Sequence, residues 1–246
     1  MIDSIWLFAL AALGALFAGI SKGGFGSGAA FASSAILALV IPPAAALGIM
    51  LPLLMLIDVA ALPTYWRRWS WPDGRLLILG GLPGVALGAA LFAVANDDVL
   101  RLLIGVVALS FVLWRVVPYT PKRRIDPGGL GVVAGVVSGF TSFVSHAGGP
   151  SAAVYLLARG LDKTTYQSTT VLVFWVLNIA KAVPYGFLGV FTAETLIAGL
   201  WLAPFAIAGT FLGVWAHRII PERLFFGLTY VMLTLTGAKL VWDALT

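Results

Sequence analysis

The chain has 246 residues, of which 61% are hydrophobic and only 10% charged, and its mean hydropathy is +1.02. That much apolar surface exceeds what one soluble core can bury, so the chain is an integral membrane protein and not a soluble domain. The net charge of +5 does not mark a nucleic-acid face, because eleven of the fifteen Lys and Arg residues sit in four short gaps between apolar runs, as cytoplasmic loops do. With no cysteine, disulfides, thiolate metal sites and cysteine nucleophiles are excluded.

The first apolar run, 5–20, follows Met1-Ile2-Asp3-Ser4, which carries an acid and no base. It reads as a retained helix, not as a cleaved signal. It leads into Gly19-Ile20-Ser21-Lys22-Gly23-Gly24-Phe25-Gly26-Ser27-Gly28, where glycines and one lysine interrupt apolar sequence. A short run, 29–41, ends at Pro42-Pro43, whose rings forbid continued helix. The run 44–66 follows, then the basic, Trp-rich gap 67–75, the run 76–95, the acidic gap 96–98 and the run 99–117. The first half closes at Pro118, with Lys122-Arg123-Arg124 after it.

The second half repeats this order. A run 128–143 enters a second break, Gly139-Phe140-Thr141-Ser142-Phe143-Val144-Ser145-His146-Ala147-Gly148-Gly149-Pro150, and runs 151–158, 165–187, 195–216 and 224–240 follow. A shift of 120 places Gly19 on Gly139, Gly28 on Gly148, Asp58 on Asn178 and Tyr65 on Tyr185, with the gaps and breaks in step. The chain reads as a duplication, 1–120 and 121–246, within one integral membrane domain.

Basic gaps at 67–75, 115–124, 159–163 and 218–223 belong in the cytoplasm, and the acidic gaps at 96–98 and ending at Glu194 outside. Equivalent gaps 67–75 and 187–194 then lie on opposite sides, so the repeat is inverted and each half crosses an odd number of times. Three long runs per half span at about 20 residues each, and the pair of shorter runs flanking each glycine motif adds two crossings or none. The expected fold is an all-α polytopic membrane protein of two inverted-topology repeats, with eight to ten transmembrane or re-entrant helices broken at the glycine-rich motifs.

Few ionisable residues remain at membrane depth: Lys22, Asp58, His146 and Lys181, with Lys239 near the end of the last run. An intramembrane charge is a functional-site hypothesis by default. Lys239 is the exception, since it can snorkel and pair with Asp243 one turn on. Lys22 among glycines offers a cation with close backbone donors, the requirement for a small oxyanion. The alternative is that Gly23 and Gly24 serve only close helix packing.

His146 either satisfies a buried carbonyl or acts as a ligand or proton relay. Asp58 either pairs with Lys22 or Lys181, or carries a proton during transport, and Asn178 with Lys181 share a helix face. The candidate substrate-binding set is Ser21, Lys22, Gly23, Gly24 and Ser27 from the first break, His146, Gly148 and Gly149 from the second, and Asn178 and Lys181, with Asp58 for proton coupling. Pro63 and Pro184 either kink or end their runs. Tyr65, Trp66, Trp69, Trp71, Trp114 and Trp215 read as an interfacial aromatic belt.

Taken together these stretches resemble the TauE/SafE family of sulfite and organosulfonate exporters. The carrying residues are the Gly19 to Gly28 motif, Gly48-Ile49-Met50-Leu51-Pro52-Leu53 leading to Asp58, His146-Ala147-Gly148-Gly149-Pro150-Ser151, Gly160-Leu161-Asp162-Lys163-Thr164-Thr165 and Gly237-Ala238-Lys239-Leu240-Val241-Trp242-Asp243. The resemblance implies a bacterial inner-membrane permease that exports a small anion, commonly described with eight spans. Ser145 and Ser151 depart from the Ala and Pro expected in close relatives.

The leading expectation is therefore a secondary transporter of a small sulfur-containing anion. It has no Walker-type loop for ATP and needs no cofactor, so the membrane potential or a proton gradient would drive it. An intramembrane serine hydrolase using Ser27 and His146 is the alternative from another class, although the Gly-x-Ser-Gly pattern is missing. A passive anion channel is a third reading. The partners expected are the anion, lipid and, for a homodimer and not a monomer, a second copy.

Overall fold

In a computed structural model the protein is described over residues 4–25, 30–116, 128–216 and 222–246. Gly26, Ser27 and Gly28 of the first motif, and parts of the basic gaps 115–124 and 218–223, lie outside the described residues.

The described residues form ten helices and no strand: α1 Ile5–Ile20, α2 Phe31–Ala38, α3 Pro43–Tyr65, α4 Trp71–Phe92, α5 Asp97–Val116, α6 Gly128–Ser145, α7 Gly149–Ala158, α8 Lys163–Phe187, α9 Ala193–Ala216 and α10 Glu222–Leu245. Among the described residues, six segments are long and apolar enough to cross a membrane: Ile5–Phe25, α3, α4, α6, α8 and α9. The helices flanking each glycine motif are unequal, where the sequence reading treats them as a matched short pair. α1 continues through a π-helical segment, Ser21–Phe25, to reach 21 residues, and α6 has 18. Their partners α2 and α7 have 8 and 10 residues, roughly 12 and 15 Å of helix against a hydrocarbon core of about 30 Å. α5 and α10, counted as spanning from sequence, have 20 and 24 residues and pack on each other.

The helix pairings recur at a shift of 120 residues. α1 lies along α9 and α6 along α4, the same pairing with the halves exchanged. α3 on α9 likewise corresponds to α8 on α4, while α3 with α8 and α5 with α10 pair across the halves. Small residues allow these crossings, since lipid supplies no hydrophobic drive between helices and close backbone approach must do so. A Cβ on Gly209 of α9 would fall on the Leu16 carbonyl, and one on Gly84 of α4 would fall on the Val136 carbonyl. Leu16 and Val136 are equivalent positions.

α3 is the most enclosed of these six segments. Ile49, Met50, Leu51, Leu53 and Ile57 are buried on it, while Trp6, Phe187 and Leu200 point outward, as lipid-facing side chains do.

The gap read from sequence as 67–75 is shorter than expected, because Pro72 sits in the first turn of α4 and its fixed φ favours helix there. This places Asp73 inside the protein, 2% exposed, where it accepts from Ser70 Oγ (2.5 Å), Tyr155 Oη (2.8 Å) and Arg159 Nε (2.8 Å). Tyr155 and Arg159 are one turn apart at the end of α7, so this contact locks the short helix onto the start of α4. Gly160, at φ +66°, then ends α7, a conformation that costs glycine little. Asp162 caps α8, accepting from the Thr164 and Thr165 N–H groups.

Candidate functional site

Two broken helix ends meet the α3–α8 pair in the protein interior. A helix end leaves carbonyls without intrahelical partners, and at membrane depth water cannot satisfy them. Side chains do so here in matching fashion. Tyr65 Oη donates to the Gly23 carbonyl (2.8 Å) and Tyr185 Oη to the Phe143 carbonyl (2.6 Å), and both pairs are related by the 120-residue shift. Gln167 Nε2 donates to the Lys22 carbonyl (2.7 Å), and Lys181 Nζ to the equivalent Ser142 carbonyl (3.0 Å). Tyr65 is thus a buried hydrogen-bonding residue, which corrects its placement in the aromatic belt; Trp66, Trp71 and Trp215 are exposed as a belt requires.

The charged residues gather at this place. Lys22 Nζ lies 2.5 Å from Asp58 Oδ1 and 3.5 Å from the Leu54 carbonyl. Asn178 Nδ2 donates to the other carboxylate oxygen of Asp58 at 2.7 Å. Asp58 and Asn178, 120 residues apart in sequence, are thus in direct contact. One turn further along α8, Lys181 Nζ contacts Ser142 Oγ (2.9 Å) and His146 Nδ1 (3.0 Å) besides the Ser142 carbonyl. His146 Nε2 faces the Leu47 carbonyl at 3.2 Å. A carbonyl can only accept, so Nε2 carries the proton and Nδ1 presents its lone pair to Lys181. Lys22, Asp58, His146, Asn178 and Lys181 are all buried.

Asp58 pairs with Lys22, as one sequence reading expected, and Lys181 joins His146 and Ser142 instead. His146 satisfies a buried carbonyl and also touches the lysine. It stands at φ 58°, a left-handed conformation that is uncommon outside glycine and that turns the chain from α6 into α7. The Ser145 hydroxyl donates back to the Thr141 carbonyl (2.9 Å), and Ser151 Oγ to the Gly148 carbonyl (3.2 Å), so both serines that depart from the expected motif make local bonds.

The glycines divide differently from expectation. A Cβ on Gly23 or Gly24 would fall on the Thr210 or Gly213 carbonyl of α9, so these two serve close helix packing. Gly148 faces Phe174 and Ser138, where a Cβ would come within 2.6 Å of each. Ser21 and Gly149 are buried beside the cluster, in the π-helical segment and at the start of α7. Ser27 lies outside the described residues. Both ring nitrogens of His146 are engaged, by Leu47 and Lys181, which leaves neither for a serine nucleophile.

Sequence reasoning missed Ser142, Gln167 and Tyr185 as members of this cluster. The signal was available for two of them: Ser142 and Tyr185 stand 120 residues after Lys22 and Tyr65. Gln167 had none, since its role depends on a carbonyl freed on another helix.

Residues 11–240 match the family described as Sulfite exporter TauE/SafE. The chain belongs to the TauE/SafE family. The match covers nearly the whole chain, and with six candidate spans it makes this a multi-pass membrane protein of an exporter-type transporter family. No curated protein and no solved structure matches it.

Proposed function

We propose that this TauE/SafE protein is a secondary transporter exporting a small sulfur-containing anion, sulfite or an organosulfonate, across the bacterial cytoplasmic membrane. The observation that carries this reading is the buried cluster of Lys22, Asp58, Asn178, Lys181 and His146, placed where two broken helices meet. Charges at membrane depth are costly and mark substrate and ion pathways. Two lysines against one aspartate favour an anion as the missing partner. In this reading Lys22, Lys181, Asn178 and His146, with Ser21 and the amides near Gly148 and Gly149, contact substrate, while Asp58 exchanges a proton.

The matched pairings of the halves support two inverted repeats, with α2 and α7 as re-entrant helices, and rocking of the halves about the α3–α8 contact would then alternate access to the cluster. Export of a monoanion from a cell negative inside gains roughly 2 kcal/mol per 100 mV from the potential alone. The test is efflux of labelled sulfite from proteoliposomes with and without a pH gradient. Flux that responds to the gradient and is lost in Lys22→Ala is the expected outcome. Undiminished flux in that variant removes Lys22 from the mechanism, and absence of anion flux in the wild type overturns the reading.

A further inference from the structure

The contacts of the cluster fit one set of charge states. Asp58 meets Lys22 Nζ at Oδ1 as an ion pair and accepts from Asn178 Nδ2 at Oδ2, contacts that suit an ionised carboxylate. His146 is neutral, because Nε2–H points at the Leu47 carbonyl and Nδ1 accepts from Lys181. Lys181 Nζ has three polar neighbours, the Ser142 carbonyl, Ser142 Oγ and His146 Nδ1, as many as an ammonium group has hydrogens. Lys22 and Lys181 against Asp58 leave one positive charge in excess.

Nothing else among the described residues cancels that charge. Their buried acids are Asp58 and Asp73, and Asp73 is bound to Arg159 at the far end of α7. An uncompensated charge in a water-poor interior is strongly unfavourable. A monoanion brings the occupied cluster to neutrality. A dianion only reverses the sign of the imbalance and keeps its penalty.

We propose that the site selects by charge count, taking singly charged oxyanions such as hydrogen sulfite or a monosulfonate and excluding sulfate and other dianions. This rests on the anion-carrier reading above and narrows it to one valence class. Asp58 sets the class: it cancels one lysine and leaves the other for substrate.

Sulfite interconverts between singly and doubly charged forms near neutral pH, so the test uses probes of permanent charge. Methanesulfonate and sulfate are close in size and tetrahedral shape but differ by one charge. Each competes against labelled sulfite flux through the full-length protein in proteoliposomes. Methanesulfonate is expected to compete at least tenfold better than sulfate.

Asp58→Asn raises the fixed charge by one, and the preference, read for this variant as displacement of bound labelled sulfite because flux also needs the Asp58 proton, should then move at least tenfold toward sulfate. Asn178→Lys raises it by one without removing Asp58 and should move the preference the same way, so the inference does not depend on the folding of a single variant. Equal competition by both probes in the wild type overturns charge selection, as does an unmoved preference in the folded variants. Labelled sulfite that does not move at all refutes the carrier reading itself, a result distinct from sulfate moving as well as methanesulfonate.

Discussion

Removing Lys22 separates the energetic role of the buried pair from its role in transport. At the 2.5 Å separation of Lys22 Nζ from Asp58 Oδ1, Coulomb's law with an effective dielectric constant of about 20 gives roughly 7 kcal/mol of gross attraction. Desolvating each ion costs several kcal/mol, so the intact pair contributes little net stability. Lys22→Met keeps the desolvation of Asp58 and loses the attraction, leaving only Asn178 on the carboxylate. The expected loss is about 3–5 kcal/mol. The double variant Lys22→Met/Asp58→Leu removes both penalties and should recover most of that loss. Reversible unfolding in mixed micelles measures the stabilities, and sulfite flux measures function on the same preparations. Transport should be absent in both variants although only one is unstable. A Lys22→Met protein within 1 kcal/mol of wild type would refute the buried ion pair, and flux through the stable double variant would make the pair structural only.

Three further outcomes follow from the packing. Tyr65→Phe and Tyr185→Phe each leave a buried helix-end carbonyl unpaired and should each lower stability by about 1–3 kcal/mol; a large difference between them would deny that the two breaks are equivalent. Gly209→Leu drives a side chain into the Leu16 carbonyl and should prevent α1 and α9 from docking, seen as loss of monodisperse protein on size exclusion, whereas Gly186→Ala meets open space and should behave as wild type. Asp162 is held below the usual carboxylate range, chiefly by the Thr165 hydroxyl, then by the Thr165 and Thr164 N–H groups. A depressed native pKa means that this cap is fully present above the unfolded pKa and is lost as pH falls through the lower native one. Protection factors of the amides in the first turn of α8, corrected for the intrinsic pH dependence of exchange, should therefore fall on acidification, and Asp162→Asn should flatten that response.

Much of the architecture was legible because a membrane imposes strong composition rules. Apolar runs, basic gaps and proline stops located nearly every helix, and the glycine motifs located both breaks. The Gly160 to Thr165 motif proved to be local chemistry, a left-handed glycine followed by an aspartate cap, and such signals lie within a few residues of each other. The Lys239–Asp243 ion pair, one helical turn apart on exposed sequence, was readable for the same reason.

The rest required contacts between segments distant in sequence. Asp73 looked like part of a loop, yet it anchors α7 through Arg159, 86 residues away. Gly23 and Gly24 looked like ligand-facing backbone, but the tertiary fold turns them onto α9. By itself the sequence determined that this is a multi-pass membrane protein with four ionisable residues within its apolar stretches, because the cost of burying charge and breaking helix in lipid writes those features into composition and spacing. Only the tertiary structure decided that Lys22 belongs to Asp58 and Lys181 to His146, since which charges meet depends on how α3, α6 and α8 pack, and no local rule carries that geometry.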